Sequence, residues 1–350
     1  MKISSFRPTL AAATAAVAVI LSSQALANPA MERAYKGKKV TITVGFDAGG
    51  TYGLYAQLFS RYMSVNVPGK PTFVVQYMPG AGGMKASNYA YNVMPKNGFN
   101  LFEPPDTVVI TNRLEPKKAR YDARKFQWLG TAVQTNAVLV LRSDTNVKTL
   151  EDLKKTRVNV GSTGTGSQTF LIPAMLNGIF DTRMKIIQGY AGSQKAMLAM
   201  EKKELDGISL AWGSWKATRS EWFKNGFATR VVQVGINRDP DLQNVPILLS
   251  MVPDGDMKKI VGFMSSLGAV GRSLVFPPKT PRANVEMMRK AFEDAVFSDI
   301  FKNDANKRKL DVNPLKGAEL EKIVNHMMDV DKAVIEKARQ LIMVKGRKGA

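Results

Sequence analysis

The chain has 350 residues, a formal net charge of +21 at pH 7, one His and no Cys. The absence of Cys excludes disulfides, thiolate metal sites, a Cys nucleophile and a lipid-anchored export signal. Beyond the amino-terminal segment no stretch approaches the roughly 18 apolar residues of a membrane helix, so we expect a soluble mature protein.

The amino terminus has the pattern of a secretory signal peptide. Lys2 and Arg7 supply positive charge, residues 10–21 form an apolar run, and Ala25-Leu-Ala27 fits a small-x-small cleavage site. Cleavage after Ala27 leaves 323 residues with a formal charge of +19, which is enough chain for two domains. We therefore expect an exported protein that resides in the periplasm.

The first predicted unit is a strand, a glycine-rich turn and a helix. The apolar run Val40-Thr-Ile-Thr-Val44 comes before Asp47-Ala-Gly-Gly-Thr-Tyr-Gly53, and apolar residues at helical spacing follow. Such a unit directs unpaired backbone N–H groups and the positive end of a helix dipole towards one place, which favours an anion. Gly49 and Gly50 allow the backbone to approach a ligand closely.

The central part of the chain continues the alternation of strands and helices. A strand is predicted at 72–77, a helix at 84–93, and strands at 126–133 and 137–141. Thr149-Leu-Glu-Asp152 has the spacing of a capping box that begins a helix. Short connections of this kind favour an α/β architecture.

A second strand–glycine turn–helix unit lies about 115 residues after the first. Val158-Asn-Val160 is followed by Gly161-Ser-Thr-Gly-Thr-Gly-Ser167 and a helical pattern. The turn differs from the Gly-x-Gly-x-x-Gly pattern of dinucleotide sites, so a nucleotide is disfavoured. Ordinary turn chemistry explains either unit alone. The pair predicts two lobes that close on one anionic ligand.

The remaining elements alternate in the same way. They are a strand at 184–188, a turn at 189–193, a helix at 194–203, strands at 207–211, 231–236 and 272–276, and a helix at 281–297. Trp212 follows a buried strand and is predicted to wall a pocket at the strand's carboxyl end. No flexible linker interrupts the chain, so we expect it to cross between the lobes on strands.

Enzyme chemistry finds little support in the sequence. The single His, His326, lies in a helical stretch and is interpreted as a surface or packing residue. No Gly-x-Ser-x-Gly elbow and no metal-ligand spacing occur, so we expect no catalytic residue, no metal and no cofactor. The basic residues are scattered and no RNP or zinc-finger motif is present, so we expect no nucleic-acid partner.

The motifs of this chain, taken in order, resemble those of a known family. The ordered series Gly45–Tyr52, Val75–Gly83, Pro95-Lys-Asn-Gly98, Gly161–Ser167 and Gly189–Ser193 is similar to that of the Bug receptors. Glu204-Leu-Asp-Gly207 extends the series. Bug receptors are the extracytoplasmic solute-binding proteins of tripartite tricarboxylate transporters, and the resemblance covers nearly all of the mature chain.

The resemblance implies a two-lobed periplasmic-binding-protein fold of type II-like form, with the ligand cleft between the lobes. In the family a ligand carboxylate is held between the two glycine loops, and the loaded receptor delivers it to a membrane permease. The expected partners are thus a small carboxylate and permease subunits, and we expect a monomer. The predicted ligand-binding residues are Asp47, Gly49, Gly50, Thr51, Tyr52, Ser162, Thr163, Gly164, Thr165, Gly166, Ser167, Tyr190 and Trp212.

Two departures from the family pattern affect the expected ligand. Many members have an Asp where this chain has Gly53, and a Pro where it has Ala48. Loss of a carboxylate there removes a candidate partner for a ligand ammonium or hydroxyl group. A plain carboxylate is therefore favoured over an amino acid.

The predicted lobes are residues 28–135 plus 266–350 for lobe I and residues 136–265 for lobe II. Two other functions remain open. One is a ligand-sensing receptor that docks on a sensor protein, and the other is a secreted hydrolase of anionic substrates.

Overall fold

The computed structural model describes residues 29–348, and the predicted signal peptide, residues 1–27, lies outside the described residues. In this part of the chain the strands form two separate sheets. The strands are β1 (Lys39–Val44), β2 (Thr72–Tyr77), β3 (Asn100–Glu103), β4 (Gln127–Thr131), β5 (Ala137–Arg142), β6 (Val158–Ser162), β7 (Met184–Gln188), β8 (Gly207–Ala211), β9 (Ala228–Val234), β10 (Ser273–Phe276) and β11 (Leu315–Lys316).

Helices connect these strands and cover the sheets. They are α1 (Pro29–Tyr35), α2 (Thr51–Asn66), α3 (Met84–Asn92), α4 (Val108–Leu114), α5 (Leu150–Lys155), α6 (Gln168–Phe180), α7 (Ser193–Glu201), α8 (Trp212–Lys224), α9 (Asp256–Ser265), α10 (Leu267–Val270), α11 (Arg282–Val296), α12 (Asp299–Lys307), α13 (Gly317–Met328), α14 (Lys332–Arg339) and α15 (Gly346–Lys348). A π-helical turn, Gln340–Lys345, joins α14 to α15.

The first sheet has the strand order β11-β4-β10-β3-β1-β2. In it β1 is parallel to β2 and β3, whereas β10 is antiparallel to β3 and β4. The second sheet has the order β7-β6-β8-β5-β9, with β6 parallel to β7 and β8. Parallel strands in both sheets place glycine turns and helix starts at their carboxyl edges, where ligands bind in α/β proteins.

Local sequence explains most of these elements. In β1 the β-branched residues Val40, Ile42 and Val44 are buried, as expected for a strand beneath helices. The predicted capping box is present at the start of α5, where Thr149 and Asp152 exchange hydrogen bonds. The predicted α/β fold class is thereby confirmed.

The strand distribution supports the proposed lobes. The first sheet draws its strands from residues 39–131 and 273–316, and the second draws them from 137–234. The chain crosses between the sheets in residues 132–136, between β4 and β5, and returns between β9 and β10. Residues 132–136 do not form a strand, so the prediction that the chain crosses on strands is wrong there. The lobe boundaries themselves stay a prediction.

The last described segment, residues 340–348, packs on α6, which flanks the second sheet. A Cβ atom on Gly178 would lie 1.9 Å from the carbonyl oxygen of Leu341, so the two backbones touch. Asn177 donates a hydrogen bond to the Gly346 carbonyl, and Lys345 pairs with Asp181 at 2.7 Å. This segment follows α14, which packs against α4 and α9, so the end of the chain ties parts of both predicted lobes together.

Candidate functional site

A cavity with about 450 Å³ of empty space, open solvent included, lies between the two sheets. Both sides contribute to it: the loop after β1, the loop after β3 and the residue before β10 belong to the first, and the starts of α6, α7 and α8 to the second. Its lining residues are Phe46, Asp47, Gly50, Thr51, Tyr52, Asp106, Thr163, Ser167, Gln168, Thr169, Ser193, Leu210, Ser214 and Arg272.

Four helices present their first turns to this cavity. They are α2, α6, α7 and α8, and none of them has a side-chain hydrogen bond at its N-cap residue. The first four N–H groups of a helix have no partner within the helix, and its dipole is positive at that end. The convergence of four such ends makes the cavity favourable for negative charge.

Arg272 adds a full positive charge to the cavity wall. Its side chain is 3% exposed, and its guanidinium lies over the Tyr52 ring, 3.9 Å from the ring centre. It donates hydrogen bonds to Thr51 (3.2 Å) on the first-sheet side and Ser214 (3.4 Å) on the second-sheet side. Arg272 therefore bridges the two sides.

Two buried carboxyl groups face this single guanidinium. Asp106 Oδ2 lies 3.6 Å from Arg272 Nη1 and accepts a 2.8 Å hydrogen bond from Gln168, which belongs to the opposite side. Burial raises the pKa of Asp106 to about 6, against the opposing effect of Arg272. Burial also raises the pKa of Glu103 well above its usual range, and neither of its carboxyl oxygens has a hydrogen-bond partner.

Asp47 lies in the loop after β1, on the first-sheet side of the cavity. It approaches the start of α7, which belongs to the second-sheet side. A Cβ atom on Gly192, the N-cap residue of α7, would lie 2.1 Å from Asp47 Oδ1. A glycine is therefore needed at 192 for the carboxylate to approach this helix end. The contact places an acidic group of the chain beside one of the four helix starts.

Glycine turns from the two sides also meet directly. The Gly82 amide donates to the Thr163 carbonyl (3.0 Å), and the Gly166 amide donates to the Ala81 carbonyl (3.2 Å). Gly164 has a φ of +128°, and a Cβ on it would lie 2.6 Å from the Gly82 nitrogen. The second glycine turn thus docks on the turn after β2, and this packing closes the cavity on one flank.

A charged contact closes the cavity near α8. Lys216 bonds Asp241 at 2.6 Å and Asp311 at 2.7 Å, and Asp311 lies on the first-sheet side just before β11. Burial alone would lower the pKa of Lys216, but the two carboxylates raise it above its usual value. Contacts on several sides of the cavity therefore join its two walls.

The structure brings six of the predicted site residues to the cavity wall. They are Asp47, Gly50, Thr51, Tyr52, Thr163 and Ser167. The other predicted residues do not line it, although the two glycines of the second turn form the contact between the sides. These residues are Gly49, Ser162, Gly164, Thr165, Gly166, Tyr190 and Trp212.

Trp212 does not line the cavity because other contacts hold its side chain. Its ring is 5% exposed and packs against Phe223, with the Arg230 guanidinium 5.8 Å from the ring centre. Its indole N–H donates to Asp241. Tyr190 is likewise packed beside the core of the second sheet, near Gly161.

Sequence reasoning missed the most charged part of the wall, Arg272 and Asp106, together with Gln168. The available signals were an arginine directly before a buried apolar strand and an aspartate in the loop Glu103-Pro-Pro-Asp-Thr107. The structure also explains Gly53, since a Cβ there would lie 2.5 Å from the Ala48 carbonyl oxygen. In this backbone the loop leaves no room for an acid at 53.

Within residues 29–348 no cluster of three or more His, Asp and Glu side chains is placed to hold a metal ion. Over the same residues no helix has the length and apolar character of a membrane span.

The comparisons with known proteins fit this geometry. The model of the NMT1-like family matches residues 117–234. A search of the curated proteins found no sequence that matches this chain.

Solved structures match over most of the chain. The periplasmic binding protein BugD has 19% identity and a TM-score of 0.70, with 87% of this chain and 98% of that chain covered. MatC from Rhodopseudomonas palustris with bound malate has 18% identity and a TM-score of 0.66, with 85% and 99% covered. A TctC solute-binding protein from Polaromonas has 17% identity and a TM-score of 0.57, with 87% and 99% covered.

The fold is therefore that of the two-lobed periplasmic binding proteins. Among them, the similar structures are of the Bug and TctC type, so the fold implied by the resemblance in sequence is confirmed.

Proposed function

We propose that this chain is an extracytoplasmic receptor that binds a small organic acid between its two lobes and delivers it to a membrane permease. The observation that carries the proposal is the convergence of four uncapped helix starts and the buried Arg272 on one cavity. The proposal includes export to the periplasm and a binding role without catalysis.

The expected interaction energies of the helix starts favour an anionic ligand. A helix start contributes about 0.3–1 kcal/mol to a carboxylate and up to about 2 kcal/mol when partly buried. Four starts contribute several kcal/mol, and hydrogen bonds from Thr51, Ser193 and Ser214 can add to them. Micromolar affinity requires about 8 kcal/mol, which lies within reach of these interactions.

Contacts from both sides explain how binding would be coupled to closure. The cavity wall combines Thr51 and Asp106 of one side with Gln168 and Ser193 of the other. A ligand that touches both sides binds the closed arrangement more tightly than an open one and shifts the population towards it. A permease that recognises the closed shape would then select the loaded receptor.

Similar proteins support the chemical class of the ligand. The MatC structure contains malate, a small hydroxy dicarboxylate. The helix starts and the buried Arg272 at the cavity wall suit the carboxylate groups of such acids. We therefore propose short aliphatic or aromatic carboxylates as the ligands of this chain.

A thermal-shift screen tests the proposal. The purified protein is heated with succinate, malate, citrate, glutamate and benzoate, and with ethanolamine and putrescine as cationic controls. An acid at 100 times its dissociation constant should add about 2.7 kcal/mol of stability, a rise of several degrees in Tm. A rise in Tm with the amines alone would contradict the proposal. So would the absence of any rise in Tm across a wider panel of acids.

A further inference from the structure

Glu103, Asp106 and Arg272 form a buried group with two carboxyls and one cation. Glu103 is the last residue of β3 and is 0% exposed, Asp106 is 2% exposed, and Arg272 is 2% exposed. Only Asp106 and Arg272 of these three line the cavity. One guanidinium cannot neutralise two ionised carboxyls and an added anion, so the protonation of this group decides how it receives a ligand.

Side chains from α2, from α6 and from the residue before β10 surround Asp106. From α2 come Tyr52, whose hydroxyl accepts a hydrogen bond from the Asp106 amide at 2.8 Å, and Tyr55, which interacts with the same arginine. From α6 comes the neutral Gln168, and from before β10 comes Arg272. Glu103 lies behind it on β3, and the carboxylate of Asp47 lines the same cavity.

We propose that the cavity takes up one proton with each carboxylate it binds, and that Asp106 accepts this proton. This inference rests on the proposed function. A carboxylate placed in the cavity competes with Asp106 for the Arg272 charge and brings a second negative charge beside it. The proton comes from the solvent and binds a carboxyl oxygen of Asp106, so that it offsets the negative charge of the one ligand carboxylate that pairs with Arg272.

The raised pKa of Asp106 agrees with the assignment of the proton to this residue. Burial raises the pKa of Asp106 to about 6, so near neutral pH the group is mostly ionised but easily protonated. Burial also raises the pKa of Glu103, and this carboxyl does not line the cavity. A nearby anion raises the pKa of Asp106 further, and proton uptake then accompanies binding over the interval between the two values.

The consequence for affinity has a definite sign. Below pH 6 Asp106 is protonated before binding, so affinity should depend little on pH. Above pH 6 each bound anion must bring a proton with it, and Kd should rise by up to about tenfold per pH unit until the pKa of the loaded state is reached. A zwitterionic amino acid, whose ammonium group can pair with ionised Asp106, should bind without this dependence.

Calorimetry measures the coupling directly. Titrations with succinate, malate and benzoate are run at pH 7 in buffers of different ionisation enthalpy, with the tightest-binding acid then followed from pH 5 to 8. The dependence of the binding enthalpy on the buffer gives the number of protons taken up, which should approach one. A value of zero with a measurable Kd would overturn the proton coupling and leave the receptor function intact.

Two variants locate the proton. Asp106→Asn keeps the hydrogen bond from Gln168 and should bind the acid with no proton uptake and a pH-independent Kd. Glu103→Gln, a matched change of a buried carboxyl outside the cavity wall, should retain the uptake. Uptake that persists in Asp106→Asn, or that disappears in Glu103→Gln, would overturn the assignment to Asp106. If Asp106→Asn does not fold, zero uptake by the unmodified protein, or loss of uptake in Glu103→Gln, would still overturn the proposal. Failure of every acid to bind would contradict the receptor function and, with it, this inference.

Discussion

The backbone amide of Gly82 donates a hydrogen bond to the carbonyl oxygen of Thr163, 3.0 Å away, and so joins the glycine turns on the two sides of the cavity. A side chain on the second turn would hold the two turns apart at this point. Gly164 is the residue that permits the close approach, since a Cβ there would lie 2.6 Å from the Gly82 nitrogen and its φ is +128°.

Gly164→Ala should therefore weaken closure and binding. We expect the Kd of a carboxylate probe to rise by roughly tenfold or more, which corresponds to at least about 1.4 kcal/mol. The matched control is Gly255→Ala, which has a similar φ of +110° but no atom within 4 Å of the added Cβ. Calorimetry on both variants separates crowding from backbone strain, and equal affinities would contradict a role for the turn in closure.

Asp106→Asn should change the pH dependence of stability. The folded pKa of about 6 lies above the ordinary value of 3.8, so between these values the folded state holds a proton that the unfolded state has released. Stability contributed by this group therefore falls as the pH rises from about 4 to 6. Relative to Asp106→Asn, the unmodified protein should lose about 2–3 kcal/mol over that interval in urea denaturation.

Asp254→Asn is a control for which we expect the opposite pH dependence of stability. Asp254 is an exposed carboxylate whose pKa is lowered by the hydrogen bond and charge of Lys258. A lowered folded pKa contributes stability above the unfolded value and loses it as the pH falls. Relative to Asp254→Asn, the unmodified protein should therefore lose stability on acidification. The same trend in both comparisons would show that burial of Asp106 is not the cause.

Lys216→Met should remove the charged contacts of α8 with Asp241 and Asp311. Because the partners are partly exposed, the loss of stability should be at most about 1 kcal/mol and smaller in high salt. The Kd of a carboxylate probe should rise several-fold because the contact with Asp311 joins the two sides of the cavity. Lys154→Met, which removes an exposed pair with Glu151 within α5, is the control and should leave the Kd unchanged.

Gly178→Ala tests the packing of the last segment on α6. The added Cβ would lie 1.9 Å from the Leu341 carbonyl oxygen, so we expect a loss of about 1–3 kcal/mol or more. Gly262→Ala in α9 is the matched helical control, because its Cβ would meet only Leu249 at 3.8 Å. That change should stabilise by up to about 1 kcal/mol through helix propensity. Chemical denaturation of both variants checks the pair.

The sequence predicts the local units of this protein well because their causes are local. The strand at 207–211 and the helix after Thr149 follow from short apolar runs and a capping pattern, and the structure has β8 and α5 there. The long helix predicted at 281–297 is present as α11. The glycine turns were recognisable for the same reason.

The charged wall of the cavity could not be found in this way. Arg272 meets Thr51 only because β10 lies between β3 and β4 in the sheet, a placement that no local pattern reveals. Asp106 meets Gln168 across the two sides. Trp212 followed a buried strand as expected, but its hydrogen bond to Asp241 directs it away from the cavity. Local patterns thus predicted the backbone part of the site, and the fold supplied its charges.

The order of strands has a consequence for how the chain folds during synthesis. The first sheet needs β10 and β11, and α6 of the second sheet is covered only when residues 340–348 arrive. Neither half can complete its core while the ribosome still holds the last part of the chain. Such long-range pairing slows folding and leaves intermediates with exposed apolar surface. Folding of each half should therefore wait for residues 273–348, and the chain should depend on chaperones until these residues are available.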